Sequence, residues 1–337
     1  MMQTVWNQLK VVSPGALIAV VIALASGFIA DHHGGPTLLY ALLLGMAMNH
    51  LATVERYRHG IQFTATTVLR LGVALLGARI TAEQILALGP LPLVMVLCGV
   101  PLTIASGLFI AKRLGLSKDM GTLTGVSVAI CGASAAMATA CVLPKREDSE
   151  SMLIFTVIGV TSLSTVAMIA YPPIVSSLGL DDVRAGIFLG GTIHDVAQVV
   201  GAGYLLGDEA GNTATFTKLL RVAMLVPVIM IVSTMFRQQR DCESGKKPPP
   251  LPAFLVAFVA LVIINSLGWI SQPIQAGMVD VSRWCLVAAI AAVGVKADLR
   301  KLAELGWKPL ILLISETVIL AIFALILLAL YPQLISA

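Results

Sequence analysis

The chain is 337 residues long, 58% hydrophobic and 12% charged, with a net charge of +4 and a mean hydropathy of +0.93. A soluble domain carries about 25% charged residues, so this composition describes a polytopic membrane protein without a large soluble domain, and its modest, scattered positive charge does not point to nucleic acid. Cys98, Cys131, Cys141, Cys242 and Cys285 form no CxxC pair and mostly lie in apolar runs, so no disulfide framework, metal or cofactor is expected.

A membrane-spanning helix takes about 20 residues. Apolar runs between charged, Pro and Gly punctuation predict eleven spans, near residues 15–30, 36–52, 61–78, 90–111, 120–143, 152–178, 186–206, 219–236, 253–270, 284–295 and 309–331. The first is followed by Asp31-His32-His33 in place of a small-residue cleavage site and reads as a retained helix. The tenth is short unless its flanks contribute. Fifteen Lys and Arg fall in connections on the N-terminal side of the membrane and five on the other, which predicts the N-terminus inside and the C-terminus outside. The longest connection, 237–252, contains RQQRDCESGKKPPP and reads as a solvated cytoplasmic linker, placing Cys242 inside.

A faint internal echo links the third and tenth spans. Gly77-Ala-Arg-Ile leads to Gly89-Pro-Leu-Pro-Leu as Gly294-Val-Lys-Ala leads to Gly306-Trp-Lys-Pro-Leu. The topology makes these pieces antiparallel, and inverted repeats are common in secondary transporters.

Ionisable residues at mid-membrane are costly and mark function by default. Arg70 stands in the middle of the third span, His194 and Asp195 in the middle of the seventh, and Glu316 about two turns inside the last. Asn49 and His50 close the second span at an interface. The fifth span has Gly, Ala, Ser, Thr or Cys at 16 of 24 positions, centred on Cys131-Gly132-Ala133-Ser134, and so belongs inside the bundle. It is either a tightly packed helix or one broken near Gly132, whose freed amides would attract an anion. The seventh, GIFLGGTIHDVAQVVGAGYLL, has five glycines and groups Thr192, His194, Asp195 and Gln198 at mid-depth, where polar groups require partners or water. Arg70 is either an ion-pair partner of Asp195 or Glu316, or a fork for an oxyanion. Lys218 and Arg221 at the start of the eighth span read as snorkelling anchors or an outer electrostatic funnel.

The elements Arg70-Leu-Gly-Val-Ala-Leu-Leu-Gly-Ala-Arg-Ile, Cys131-Gly-Ala-Ser-Ala, Gly191-Thr-Ile-His-Asp-Val-Ala-Gln-Val-Val-Gly-Ala-Gly and Lys218-Leu-Leu-Arg-Val resemble the YeiH-type family of sulfate exporters, over nearly the whole chain. The resemblance implies a bacterial inner-membrane secondary transporter. It further implies kinship with the bile-acid and sodium-symporter superfamily, with two inverted five-helix repeats and broken helices crossing at mid-membrane. The expected organisation is then an extra N-terminal helix over 1–35, a first repeat over 36–180, and a second over 181–337 that includes the linker. Pairing spans five apart does not reproduce the echo between the third and tenth.

The function expected is export of a small oxyanion, sulfate or sulfite, with Arg70, Cys131, Gly132, Ser134, Thr192 and Gln198 binding it and His194, Asp195 and Glu316 carrying coupling protons. A cation-coupled importer of a carboxylate or sulfonate is the rival of the same class. An intramembrane enzyme using Cys131 or Ser134 with His194 is the rival of another class, and no GxSxG or HExxH signature accompanies it. The partners expected are the anion, the bilayer and H⁺ or Na⁺, with a homodimer left open.

Overall fold

The computed structural model describes residues 2–33, 37–144, 146, 148–236, 253–297 and 306–335. The linker 237–252 with Cys242, and the basic connection 298–305, lie outside the described residues. Every regular element among those described is helical, as expected of backbone that must satisfy its own hydrogen bonds in lipid. Six helices are long and apolar enough to cross a membrane: Val11–His33, Leu91–Arg113, Ser151–Ser177, Asp208–Met235, Gln272–Lys296 and Trp307–Leu330. The protein is therefore a polytopic helical membrane protein.

The chain divides into two compact units, 1–87 with 252–298, and 88–251 with 299–337. The first contains α1 (Met2–His33), α2 (Thr37–Ala47), α3 (Glu55–Phe63), α4 (Leu69–Leu76), α5 (Ala82–Ala87), α14 (Ala253–Ser266) and α15 (Gln272–Lys296). A π-helical turn, Thr64–Val68, joins α3 to α4. The expected tenth span is thus the end of a 25-residue helix whose polar flank supplies the missing length. Glycines let the helices approach closely. Gly45 and Gly294 face one another, and a β-carbon on Gly294 would sit 3.1 Å from the Gly45 Cα. Side-chain amides close the ends of two helices here. Asn49 Nδ2 donates to the Val295 and Ala297 carbonyls (2.9 and 3.1 Å), Asn265 Nδ2 to Ile80 (3.2 Å) and Gln275 Nε2 to Ala78 (2.9 Å).

The second unit contains α6 (Leu91–Arg113), α7 (Lys118–Ala129), α8 (Ala133–Ala140), α9 (Ser149–Ser177), α10 (Asp182–Thr192), α11 (Val196–Leu206), α12 (Asp208–Ala223), α13 (Leu225–Met235) and α16 (Trp307–Ile335). Its two small-residue segments depart from expectation: each folds back on itself instead of running through. The Ser117 hydroxyl that caps α7 lies 3.7 Å from Met152 Sδ near the start of α9, and Arg146, just before α9, pairs with Asp119 in the first turn of α7 at 2.6 Å. At the far end of α7, a β-carbon on Gly132 would be 3.6 Å from Val160 Cγ2, three turns into α9. Helix α9 therefore runs parallel to α7, and α8 returns from the break to the starting end.

The α10–α11 pair repeats the pattern beside α12. Gly186 abuts Ala210 and Thr213, and Gly190 abuts Ala214 and Thr217, so α10 runs parallel to α12. In α11, Gly203 abuts Gly211 and Ala214, and Tyr204 Oη donates to Asn212 Oδ1 at 2.7 Å, so α11 runs antiparallel to α12 and hence to α10.

Candidate functional site

Both hairpins turn on short breaks whose carbonyls lack helical partners. After α7 the chain passes through Ile130 (φ −115°, ψ −80°) and Gly132 (φ +63°, ψ −124°), a conformation that glycine adopts without a Cβ penalty. After α10 it passes through Ile193 and Asp195 in extended conformation before α11 begins. The two turns meet. A β-carbon on Gly132 would lie 3.7 Å from both the Cβ and the carbonyl oxygen of His194.

Two cations of α12 join them. Lys218, fully buried, donates from Nζ to the carbonyls of Ile130 (2.6 Å), Ile193 (3.0 Å) and His194 (2.5 Å). Arg221, 1% exposed, donates from Nε to Ala129 (2.8 Å), from Nη2 to Val128 (2.7 Å) and from Nη1 to Gly190 (3.3 Å) and Ile193 (3.1 Å). Among the described residues neither cation has an ion pair with a carboxylate. Their partners are the C-terminal ends of α7 and α10, where the helix dipoles place negative charge and orphan carbonyls. Buried cations are tolerated when so completely bonded. Both therefore act at the centre, and the expectation of outer anchors is corrected. The expected eighth span began at 219, whereas the helix begins at Asp208, which puts Lys218 ten residues inside it. At 1.5 Å per residue that is about 15 Å, half the hydrocarbon thickness.

From the same place α8 and α11 start outward, so their N-terminal ends, with first-turn amides that have no acceptor in their own helix, face the centre. Neither N-terminal end is closed by a side-chain cap. Ser134 in the first turn of α8 is exposed, and Ala133 and Asp195 are half-buried. Ser134 Oγ lies 3.1 Å from Cys131 Sγ and 3.3 Å from its carbonyl. The Asp195 amide donates to Ser164 Oγ at 3.0 Å. Thr192 is buried with its hydroxyl committed to the Phe188 carbonyl at 2.6 Å.

Two adjacent residues of α16 reach the two hairpins separately. Thr317 Oγ1 donates to the Leu313 carbonyl at 2.8 Å and stands 3.0 Å from His194 Nε2, within hydrogen-bond distance. Glu316 is fully buried between α6 and α7, where Gly107 leaves room for its carboxyl group. Its Oε1 is 2.8 Å from the Thr124 hydroxyl, its Oε2 has no hydrogen-bond partner, and it has no ion pair among the described residues. Gln198, also buried, leaves Oε1 without a partner.

The second unit thus gathers Cys131, Gly132, Ser134, Thr192, His194, Asp195 and Gln198 around the two turns, with Glu316 one residue from the histidine's partner. Arg70 belongs to the first unit, where it stands on α4 with an exposed side chain. Sequence reasoning missed Lys218 and Arg221 as central residues, along with Thr124, Ser164 and Thr317. Their signal was available for the cations alone, as Lys and Arg three apart on one face of a helix.

Comparison with known proteins assigns the family. The family described as Conserved hypothetical protein 698 matches residues 14–313. A UPF0324 membrane protein of Chlorobaculum tepidum is 55% identical over 315 residues, covering 93% of this chain and 88% of the relative. UPF0324 membrane protein TauZ of Paracoccus pantotrophus is 51% identical over 313 residues, with 92% and 93% covered. UPF0324 inner membrane protein YeiH of Escherichia coli K12 is 30% identical over 322 residues, with 92% and 90% covered. No solved structure matches the chain. Matched along nine-tenths of its length by these relatives, the chain belongs to the YeiH-type family of UPF0324 membrane proteins.

Proposed function

We propose that the protein is a secondary transporter of the bacterial inner membrane that exports a small oxyanion, sulfate or sulfite, through a site at the two hairpin turns. The observation that carries this reading is the charge arrangement there: two buried cations bonded to main-chain carbonyls and two helix N-termini without a side-chain cap, with Asp195 the carboxylate at the turns themselves among the described residues. Helix N-termini bind anions through amides and dipole together. Lys218 spends all three donors on carbonyls and Arg221 four of its five N–H groups, so they contribute field and not contacts. The contacts fall to the first-turn amides of α8 and α11, to Ser134 and to Gln198. An inside-negative potential drives anions outward by about 2.3 kcal/mol per charge per 100 mV. Asp195, His194 and Glu316 are the groups assigned to an inward proton that adds to this drive.

A cation-coupled importer is favoured by a different observation, the unpartnered oxygens Gln198 Oε1 and Glu316 Oε2, which are acceptors suited to a metal cation. The enzyme reading has less support, since Ser134 bonds Cys131 and His194 bonds Thr317, with no hydrogen bond linking them as nucleophile and base. Melting of the purified protein with sulfate, sulfite, methanesulfonate, acetate and succinate, each with and without Na⁺, tests the proposal. It requires stabilisation by a sulfur oxyanion without Na⁺. Stabilisation only by carboxylates with Na⁺ selects the importer.

A further inference from the structure

We infer that the chain is an inverted repeat in circularly permuted order, so that its two hairpins enter the membrane from opposite faces. The first copy is α2, α3–α4, α6, the α7–α8 hairpin and α9. The second is α14, α15, α16, the α10–α11 hairpin and α12–α13, with its last two elements placed ahead of its first three along the chain. The inference rests on the membrane-spanning reading but not on the substrate.

Three independent observations support it. The first is the sequence echo, in which Gly77 corresponds to Gly294, Gly89 to Gly306 and Pro92-Leu93 to Pro309-Leu310, a constant offset of 217. This pairs the ends of α4 and α15 and the starts of α6 and α16.

The second lies within the first unit. The carbonyls bonded by Asn49 are those of Val295 and Ala297, and the carbonyls bonded by Gln275 and Asn265 are those of Ala78 and Ile80. The same offset of 217 converts 78 and 80 into 295 and 297, and an offset of 216 converts Asn49 into Asn265. Each copy's asparagine thus caps the other copy's helix. Such reciprocity, in which i meets j and its equivalent of j meets that of i, is the property of a twofold relation. The glycine contacts obey it too: Gly294 packs on Leu42 and Gly45 of α2, while Gly77 packs on Phe258 and Leu261 of α14.

The third lies within the second unit. Ser117 caps α7 by accepting from the amide three residues on, at 3.1 Å, and Asp181 caps α10 in the same way at 2.8 Å. The breaks follow at Ile130 and Ile193, 13 and 12 residues after these caps. Each hairpin is followed by a helix parallel to its first arm, α9 in one case and α12 in the other.

The direction of the chain then fixes the faces. Helix α6 ends at Lys112 and Arg113, the α7–α8 hairpin enters and leaves on that side, and α9 crosses. The α10–α11 hairpin enters and leaves on the opposite side, and α12–α13 crosses back. Nine passages and two re-entrant hairpins replace eleven crossings, and the termini remain on opposite faces. Lys145 and Arg146 move to the inner side and Arg184 to the outer. With Lys218 buried, sixteen Lys and Arg then lie in inner segments and three in outer ones, a sharper asymmetry than the expected topology gave. The Ser134 turn is thereby approached from the cytoplasm and the Asp195 turn from outside, so that one hairpin bounds the site on each face.

Single cysteines placed at Asp148, Ser177 and Asp182 in a cysteine-free background test the arrangement. All three positions are exposed at the ends of α9 and α10. An impermeant maleimide should label Asp148→Cys in inverted vesicles and lose that labelling in intact spheroplasts, whereas Ser177→Cys and Asp182→Cys should show the reverse. Eleven crossings require the opposite face for all three, and that result overturns the inference. So does labelling of Asp148→Cys and Asp182→Cys from the same face. Two of the three positions report on one connection, so the test survives the loss of either variant. Labelling does not depend on flux, so its outcome is separable from that of the transport reading.

Discussion

At the scale of single residues, the centre of the second unit is held by side-chain cations bound to main-chain carbonyls. Lys218→Met removes three hydrogen bonds and leaves the Ile130 and His194 carbonyls without a side-chain donor, while the Ile193 carbonyl keeps its bond from Arg221. Each orphan costs about 1–3 kcal/mol, so the variant should lose about 2 kcal/mol or more. Arg221→Met should behave alike, both being measured as a fall in melting temperature of the purified protein. An unchanged melting temperature would mean that water takes over these carbonyls. Arg70 provides the contrast. Its side chain is exposed, so Arg70→Lys should alter stability by no more than about 0.5 kcal/mol. Weaker binding with normal melting would assign its fork to the anion, and normal binding would remove it from the site. Asp195→Asn should retain anion binding and lose the response of transport to a pH gradient, with His194→Gln milder. This is read as flux from proteoliposomes at fixed membrane potential with and without a pH difference. If both respond normally, Glu316 becomes the coupling group to substitute next.

At the scale of elements, the break after α7 depends on a glycine and the break after α10 does not. Gly132 has a positive φ, and a β-carbon there meets nothing closer than 3.6 Å. Gly132→Ala should therefore cost about 1–3 kcal/mol through backbone strain alone, with no clash to relieve. Gly107→Ala differs, because its β-carbon would overlap the Glu316 carboxyl group and approach the Gly121 carbonyl at 2.9 Å. Melting and Glu316-dependent pH coupling should both suffer there, while Gly132→Ala should affect melting and anion binding. The composition of the fifth span made a break near Gly132 one of two open readings, because a run of small residues serves close packing as well as interruption. The break at Ile193-His194-Asp195 left a weaker trace, an Asp at an N-cap position with Gln198 three residues later, as in a capping pattern. Hydropathy could not reveal either return, since two half-length helices in a hairpin and one full-length helix contain the same apolar residues. Contacts with α9 and α12 decide it.

At the scale of the whole molecule, the membrane class followed from composition, and most long helices fell near their expected apolar runs. The eighth began eleven residues early because Asp208 through Lys218 are polar on average yet largely buried against α10 and α11. That displacement hid Lys218 and Arg221 as central residues. Of the expected site, His194, Asp195, Gln198, Cys131, Gly132 and Ser134 were legible as polar or small residues at mid-depth. Their meeting was not, because it rests on main-chain carbonyls shared through α12. The central claim is that this meeting point carries the anion. Efflux of sulfite or sulfate from sealed proteoliposomes under an inside-negative potential measures it most directly, comparing the wild-type protein with Ser134→Ala and Gln198→Leu. The account predicts saturable efflux that grows with the potential and is weakened at low anion concentration in both variants, with melting little changed. Wild-type efflux that neither variant alters, or no efflux of any sulfur oxyanion from a well-folded protein, would contradict it.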